Sequence, residues 1–310
     1  MRLITRGDLD GLACAVIITE HEDISETVLL HPQDITDNRI EVTSDDIIAN
    51  LPYHPNCGIW FDHHLQTSSN RRPPEDFKGR YALAPSAAQL VWEYYGKDDK
   101  YDHLIRETNR LDSAQLNRED VLDPQDYILL GYTIDSRTGL GAFEYYFRQC
   151  VEWVKTMPIE EVLQQSMVAE RTRRIREEDQ NFREALLAST GLHGNVIFTD
   201  FRDSPYLPIG NRFMVYTLFP EGNVSLRVHW GPDRKFVVVA VAHSIFNRTC
   251  QTNVGELMSK YGGGGHRGAG SAPIPKDECD DKIGELLATL WEDDRRGNEG
   301  QDGGNAKSNP

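Results

Sequence analysis

Short apolar runs alternate with segments of helical period through the first half of the chain. Runs at 2–5, 27–31, 46–50 and 58–61 read as strands, and 11–21 reads as a helix entered from the first of them. Ser86 with Gln89 three residues on has capping-box spacing, and further helical patterns run near 101–110, 124–133 and 142–154. Such alternation predicts an α/β domain with a mainly parallel sheet. From 158 to 189 the chain turns long, charged and helical, with Thr156 and Pro158 placed as a helix start. Its stretch RTRRIREEDQNFRE can form many i,i+4 pairs on an exposed surface, which predicts a linker helix. Beyond Gly191 the pattern is strand-like: NVIFTDF, RFMVYTLF, VSLRVHW and FVVVAVAH. Val224, Leu226 and Val228 alternate there with Ser225, Arg227 and His229, giving one apolar and one polar face. A helix at 254–260, the loop GGGGHRGAGS and a helix near 280–291 follow, and the end of the chain has no core-forming residues. The expected organisation is therefore two domains, 1–155 and a smaller α/β domain at 191–292, joined by a linker helix at 156–190 and followed by a disordered tail at 293–310.

Composition narrows the function classes. The formal charge of -16 over 310 residues argues against extended contact with long duplex nucleic acid, which depends on many Lys and Arg neutralising phosphates. A small phosphorylated substrate stays compatible, because a metal or guanidinium can reverse the field inside one pocket. No stretch approaches the roughly 18 consecutive apolar residues of a membrane span, so no membrane partner is expected. Cys14, Cys57, Cys150, Cys250 and Cys279 are odd in number and show no CxxC spacing. They fit isolated thiols in a reducing compartment, and MRLITRGDLDG reads as a strand entering a loop rather than a secretion signal, so a cytoplasmic location is expected.

Two regions carry chemistry. In GDLDG, Asp8 and Asp10 follow a strand directly, where open α/β sheets bind ligands, and their carboxylates can aim at a hard cation. The same letters also make an ordinary turn. FDHH places Asp62, His63 and His64 at the end of another apolar run; adjacent side chains diverge, so one His can ligate while the other faces substrate. Asp135, in GYTIDSRTGLG, is a further acid in a position that also suits a cap or turn. The second region is 262–271, where Gly263, Gly264 and Gly265 can bring backbone N–H groups against a phosphate, with His266 and Arg267 adding charge.

In this order, GDLDG, FDHH, TIDSRTG, a linker helix and GGGGHRGAG resemble the DHH phosphoesterase family, in the subgroup with a carboxy-terminal DHHA1 domain. The resemblance spans nearly the whole chain. It implies a two-metal site, with Mn2+ as the usual ion and Mg2+ as the alternative, in the amino-terminal domain, and a substrate-gripping DHHA1 domain facing it. Carried over by position, Asp8 belongs to the first metal, while Asp10, His63 and Asp135 belong to the second. His64 is then placed on the scissile phosphate, and Asp62 orients a neighbouring ligand. His266, Arg267 and the glycine amides bind a terminal phosphate or nucleotide, and Arg227 and His229 line the same cleft. Two ions about 3.5–4 Å apart would acidify a water and stabilise the leaving oxygen.

The sequence departs from that pattern twice. Where the family has a metal-ligating His two residues before the first Asp, this chain has Arg6, whose guanidinium has no lone pair to give. Where the family has a bridging Asp, strand position points to Asn50, with Asp34 and Asp37 as substitutes. One tight metal site is therefore expected and the second left open, with Arg6 supplying part of the missing positive charge. The expected activity is hydrolysis of a short oligonucleotide, nucleotide bisphosphate, cyclic dinucleotide or polyphosphate, with a homodimer as a candidate assembly. The competing reading is a catalytically impaired nucleotide- or phosphate-binding protein of the same fold.

Overall fold

The computed structural model describes residues 1–64, 71–134, 142–208 and 210–302. It divides into two compact units, Met1–Arg176 and Glu177–Pro310.

Among the described residues the first unit holds a parallel sheet of β1 (Arg2–Thr5), β2 (Glu26–Leu29), β3 (Asp46–Ala49), β4 (Ile59–Asp62) and β5 (Gly79–Tyr81), in the order β2-β1-β3-β4-β5. Its helices are α1 (Leu9–His21), α2 (Pro32–Thr36), α3 (Ala87–Tyr94), α4 (Asp102–Asp112), α5 (Arg118–Leu122), α6 (Asp126–Thr133), α7 (Phe143–Thr156) and α8 (Ile159–Gln164). Alternation along the strands builds two cores. Leu3, Ile47, Ala49 and Phe61 pack with α1, α3 and α7 on one face, while Ile4, Ile48 and Trp60 pack with Ile35, Val42 and Tyr53 on the other. A sheet buried on both faces is what near-continuous apolar strands require. The chain winds outward from β1 to β2, then returns to place β3 on its other side, so the order reverses between β1 and β3. Open α/β sheets bind ligands at the carboxyl ends of the strands beside that reversal. β5, only GRY, carries too little pattern to be expected from sequence. Gly79 permits it: the residue has φ +113° and lies so close to its neighbour that a Cβ would fall 1.9 Å from the Trp60 carbonyl oxygen.

The helix α9 (Ser166–Ser189) runs through the boundary between the units. In the second unit, β6 (Thr190–His193), β7 (Val196–Asp200), β8 (Val224–Trp230), β9 (Phe236–His243), β10 (Gly264–His266) and β11 (Ala269–Pro275) form a mixed sheet ordered β10-β11-β9-β8-β7-β6. Val224, Leu226 and Val228 of β8 and Val237, Val239 and Val241 of β9 share one core with α11 (Val254–Ser259) and α12 (Cys279–Asp302). The α/β class, with a parallel sheet in the first unit and a second α/β unit, is as expected; the mixed pairing of the second sheet is added by the structure.

Three local readings change. RFMVYTLF, expected as a strand, contains the helix α10 (Met214–Leu218). Phe213, Met214, Val215 and Tyr216 are all buried, and a short run buried on every side has no period that separates strand from helix. The polyglycine segment is not an open loop but the edge hairpin β10–β11, with Gly264 opposite Ser271 and His266 opposite Ala269. The last helix continues past the expected end near 291 to Asp302. Among the described residues no helix is long and apolar enough to cross a membrane.

Candidate active site

The carboxyl ends of β1, β3 and β4 carry the residues of GDLDG and FDHH together with Asn50. Asp8 is the N-cap of α1, its Oδ1 accepting the Gly11 N–H at 2.8 Å. Gly11 is obligatory there, since a Cβ would lie 2.0 Å from the Arg6 carbonyl oxygen. The same Oδ1 accepts from Asn50 Nδ2 at 3.1 Å, and Oδ2 lies 3.1 Å from Arg6 Nε. Asp8 therefore sits in an ion pair with three donors around it. Asn50, just beyond β3 at φ +57°, is buried; turning its amide over would set oxygen against carboxylate, so Nδ2 faces Asp8. Its Oδ1 has no hydrogen-bond partner among the described residues.

Asp10 occupies the first turn of α1 and is buried. It caps α3 from outside, Oδ2 accepting from Ala87 N at 2.9 Å and Oδ1 from Ala88 N at 2.7 Å. Ser86 Oγ, the N-cap of α3, accepts from Gln89 N and donates to Asn109 Oδ1 at 2.6 Å, tying α3 to α4. Burial pushes the Asp10 carboxyl well above the usual carboxylate range, with the charges of Asp112 and Asp8 adding to it and the two amides opposing.

His63 follows β4. Its Nδ1 lies 3.0 Å from the Ala84 carbonyl oxygen, which can only accept, so Nδ1 carries hydrogen and Nε2 of the neutral ring carries a lone pair. That Nε2 is buried, hydrogen-bonded to nothing among the described residues, and 3.6 Å from Asp10 Oδ2 and 3.3 Å from Asp112 Oδ2. The donor atoms of Asp10, His63 and Asp112 lie within 4.8 Å of one another. Two carboxylates and a ring nitrogen converging on one point make a donor set that suits a divalent ion with mixed oxygen and nitrogen ligands. Burial pushes Asp112 up as well.

Asp62 Oδ1 accepts from His63 N at 2.9 Å and bonds His64 Nδ1 at 2.8 Å, so it orients His64 and the turn rather than the metal-facing ring. That bond raises the His64 pKa, against the effect of burial. Tyr81 Oη donates to the His64 carbonyl at 3.1 Å, fixing the turn from β5.

The structure thus brings Arg6, Asp8, Asp10, Asn50, Asp62, His63 and His64 to one end of the first sheet. Asp135 lies outside the described residues. Asp34 and Asp37 bond Arg39 and α2 itself. Asp112 is the residue that sequence reasoning missed. A signal existed: it ends α4, where the helix dipole favours cations over a carboxylate.

In the second unit, cross-strand register aligns Arg227 of β8 with Ala240, Ser271 and Gly264 along one sheet face, and Ser225 with Ala242, Ala269 and His266. Small side chains thus lie between Arg227 and the exposed His266. A Cβ on Gly263 would fall 2.0 Å from Ser271 O, and one on Gly265, at φ +154°, 2.2 Å from Ala269 O. The Arg267 guanidinium donates to Gln251 O at 3.2 Å, and Gly268 N donates to His266 Nδ1 at 3.1 Å. Burial lowers the pKa of His229, and the Arg227 charge adds to it.

Neither a family model nor a curated protein matches the chain. Among solved structures, the pGpG-specific phosphodiesterase PggH of Vibrio cholerae is 35% identical over 94% of this chain and 99% of its own, with a TM-score of 0.82. The DHH domain of a protein from a family of ribosomal proteins shares the fold at a TM-score of 0.64 and 13% identity, over 94% of this chain and 86% of that one. The chain belongs to the DHH phosphoesterase family. A further DHH fold, RecJ of Thermus thermophilus in complex with Mn2+, has a TM-score of 0.54 at 14% identity, covering 94% of this chain and 52% of RecJ. In the DHH frame, the FDHH motif does two tasks here: His63 turns to the acids, and Asp62 with His64 forms a separate, more exposed pair.

Proposed function

We propose that this chain is a divalent-metal-dependent phosphodiesterase of small phosphorylated substrates, with a short oligonucleotide of the pGpG kind as the first candidate. The observation that carries the reading is the buried His63 Nε2, without a hydrogen bond among the described residues, between Asp10 and Asp112. Asp10, His63 and Asp112 would hold one ion, with Mn2+ or Mg2+ as candidates; Asp135 is retained as a candidate fourth ligand. Such an ion, when bound, supplies a lowered water pKa and neutralises charge on a phosphate oxygen. His64, oriented by the bond from its Nδ1 to Asp62, would present its other ring nitrogen to the phosphate or to the leaving oxygen. Ala87 and Ala88 N–H keep Asp10 in place. The sheet face with Arg227, Ala240, Ser271 and Gly264, together with His266 and Arg267, is assigned to the substrate's base or terminal phosphate, since small side chains admit a flat ring. The likeness to PggH supports the substrate class. Five free cysteines support a cytoplasmic location.

A second reading has one observation behind it: Asp8 is already paired with Arg6, which favours a protein that binds nucleotides without turning them over. Incubation with pGpG, pApA, pAp and polyphosphate in Mn2+ and in Mg2+ separates the two. The hydrolase reading expects turnover of at least one dinucleotide, lost in His63→Ala. Binding without turnover on all four substrates would establish the second reading instead.

A further inference from the structure

Arg6 stands at the carboxyl end of β1, beside the strand-order reversal, with about a third of its side chain exposed (36%). Asp8 takes its Nε edge at 3.1 Å, and among the described residues no other group pairs with the guanidinium. Asp8 is itself held by Gly11 N and Asn50 Nδ2, so the guanidinium is braced rather than free to swing. Asp8 needs no arginine to cap α1, because Gly11 N already completes the cap. An ion pair about a third exposed adds little stability, so an architecture that fixes Arg6 in this way calls for another use. The guanidinium field also reaches the neighbouring groups. It works against the burial that raises Asp112 and against the Asp62 bond that raises His64.

We propose that Arg6 is a phosphate-binding residue: Asp8, itself held by Asn50 and Gly11 N, pairs with its Nε, and its two Nη groups grip the non-bridging oxygens of the substrate phosphate beside the Asp10–His63–Asp112 group. The planar fork fits two phosphate oxygens at once, which an ammonium cannot do. The inference rests on the phosphodiesterase reading for the identity of the anion, but its test does not use turnover.

The probe is pGpG with a sulfur-substituted, cleavage-resistant linkage, titrated calorimetrically into metal-loaded protein whose metal content is measured on the same sample. Arg6→Gln should weaken binding about tenfold or more, Arg6→Lys by less, with metal content unchanged in both, since a charge-assisted bidentate contact is lost in the first and only its geometry in the second. Equal affinity of Arg6→Gln and wild type would overturn the proposal. So would a loss of affinity that simply follows a loss of metal, because Arg6 would then act on the ion site alone. Failure of wild type to cleave any of pGpG, pApA, pAp and polyphosphate would refute the hydrolase reading and leave this binding comparison intact.

Discussion

Replacing Asp112 with Asn should move stability and metal response in opposite directions. The carboxylates of Asp10 and Asp112 lie within 4.8 Å of each other, and two unit charges at that distance repel by about 3.5 kcal/mol at an effective dielectric of 20. The Asp112 side chain is 31% exposed, so solvent screens the pair, and about 1–2 kcal/mol remains. Metal-free Asp112→Asn should therefore melt above metal-free wild type, by about 2–8 °C for the transition of the first unit. With metal the order reverses. At an ion concentration 100 times Kd, binding stabilises wild type by about 2.7 kcal/mol, or about 5–11 °C. A hundredfold weaker site at the same concentration keeps only about 0.4 kcal/mol, a shift of about 1–2 °C. Differential scanning calorimetry with chelator and with Mn2+ measures all four values. Equal metal-induced shifts in the two proteins would remove Asp112 from the ion site, and a lower metal-free melting point for the variant would show that its carboxylate serves packing instead.

Metal counting on purified protein should find one tightly held ion per chain, and Arg6→His, which frees Asp8 and adds a ring lone pair beside it, should raise the count; two ions in wild type would refute the assignment. The Asp46 carboxyl should show its value in acid. Burial alone would raise its pKa, but Arg2 at 2.7 Å and the Thr43 amide outweigh burial and hold it below the ordinary value. A lowered folded pKa adds stability above the unfolded value of about 3.9 and loses it as pH falls through the folded one. The stability gap between wild type and Asp46→Asn should accordingly be wide at pH 7 and close below about pH 4; a gap independent of pH would refute it. Gly265→Val should cost the second unit about 1–3 kcal/mol, because φ +154° and a Cβ 2.2 Å from Ala269 O leave no room, and it should weaken pGpG binding while leaving metal content unchanged.

Legibility differed from element to element. Four strands of the first sheet, β1 to β4, were plain because runs such as LIT and DIIA are mainly apolar, and a ligand end follows from parallel winding. Asp10 and His63 were legible as donors for a related reason: each comes soon after a strand. Asp112 was not, because it comes from the far end of a helix that is held at the site by the Ser86–Asn109 and Asn109–Gln89 bonds and by the packing of α4 on α1, and those contacts have no local sequence period. The Gly263–Gly265 stretch misled in the opposite way. Glycine permits a loop, but here it permits a hairpin whose partner strand, AGSAPIP, carries two prolines and so reads poorly as a strand. RFMVYTLF shows that β-branched and aromatic residues describe burial as much as strand geometry.

Local charge matching favours the proposed single ion over two. The chain carries -16 overall, so its long-range field draws cations without choosing among the acids; the choice is made by what each acid faces. Asp8 faces the Arg6 guanidinium, and Asp62 faces the His64 ring, whose pKa it raises. Asp10 and Asp112 face His63 Nε2, which among the described residues donates a hydrogen bond to neither. Two converging carboxylates with no Lys or Arg paired to them among the described residues match one divalent ion. A second ion at Asp8 would first have to displace a guanidinium held on the carboxylate that Asn50 and Gly11 brace. On the proposed reading, Arg6 serves as a fixed cation at one half of the strand-end site, and the Asp10–His63–Asp112 half is where a mobile cation would bind.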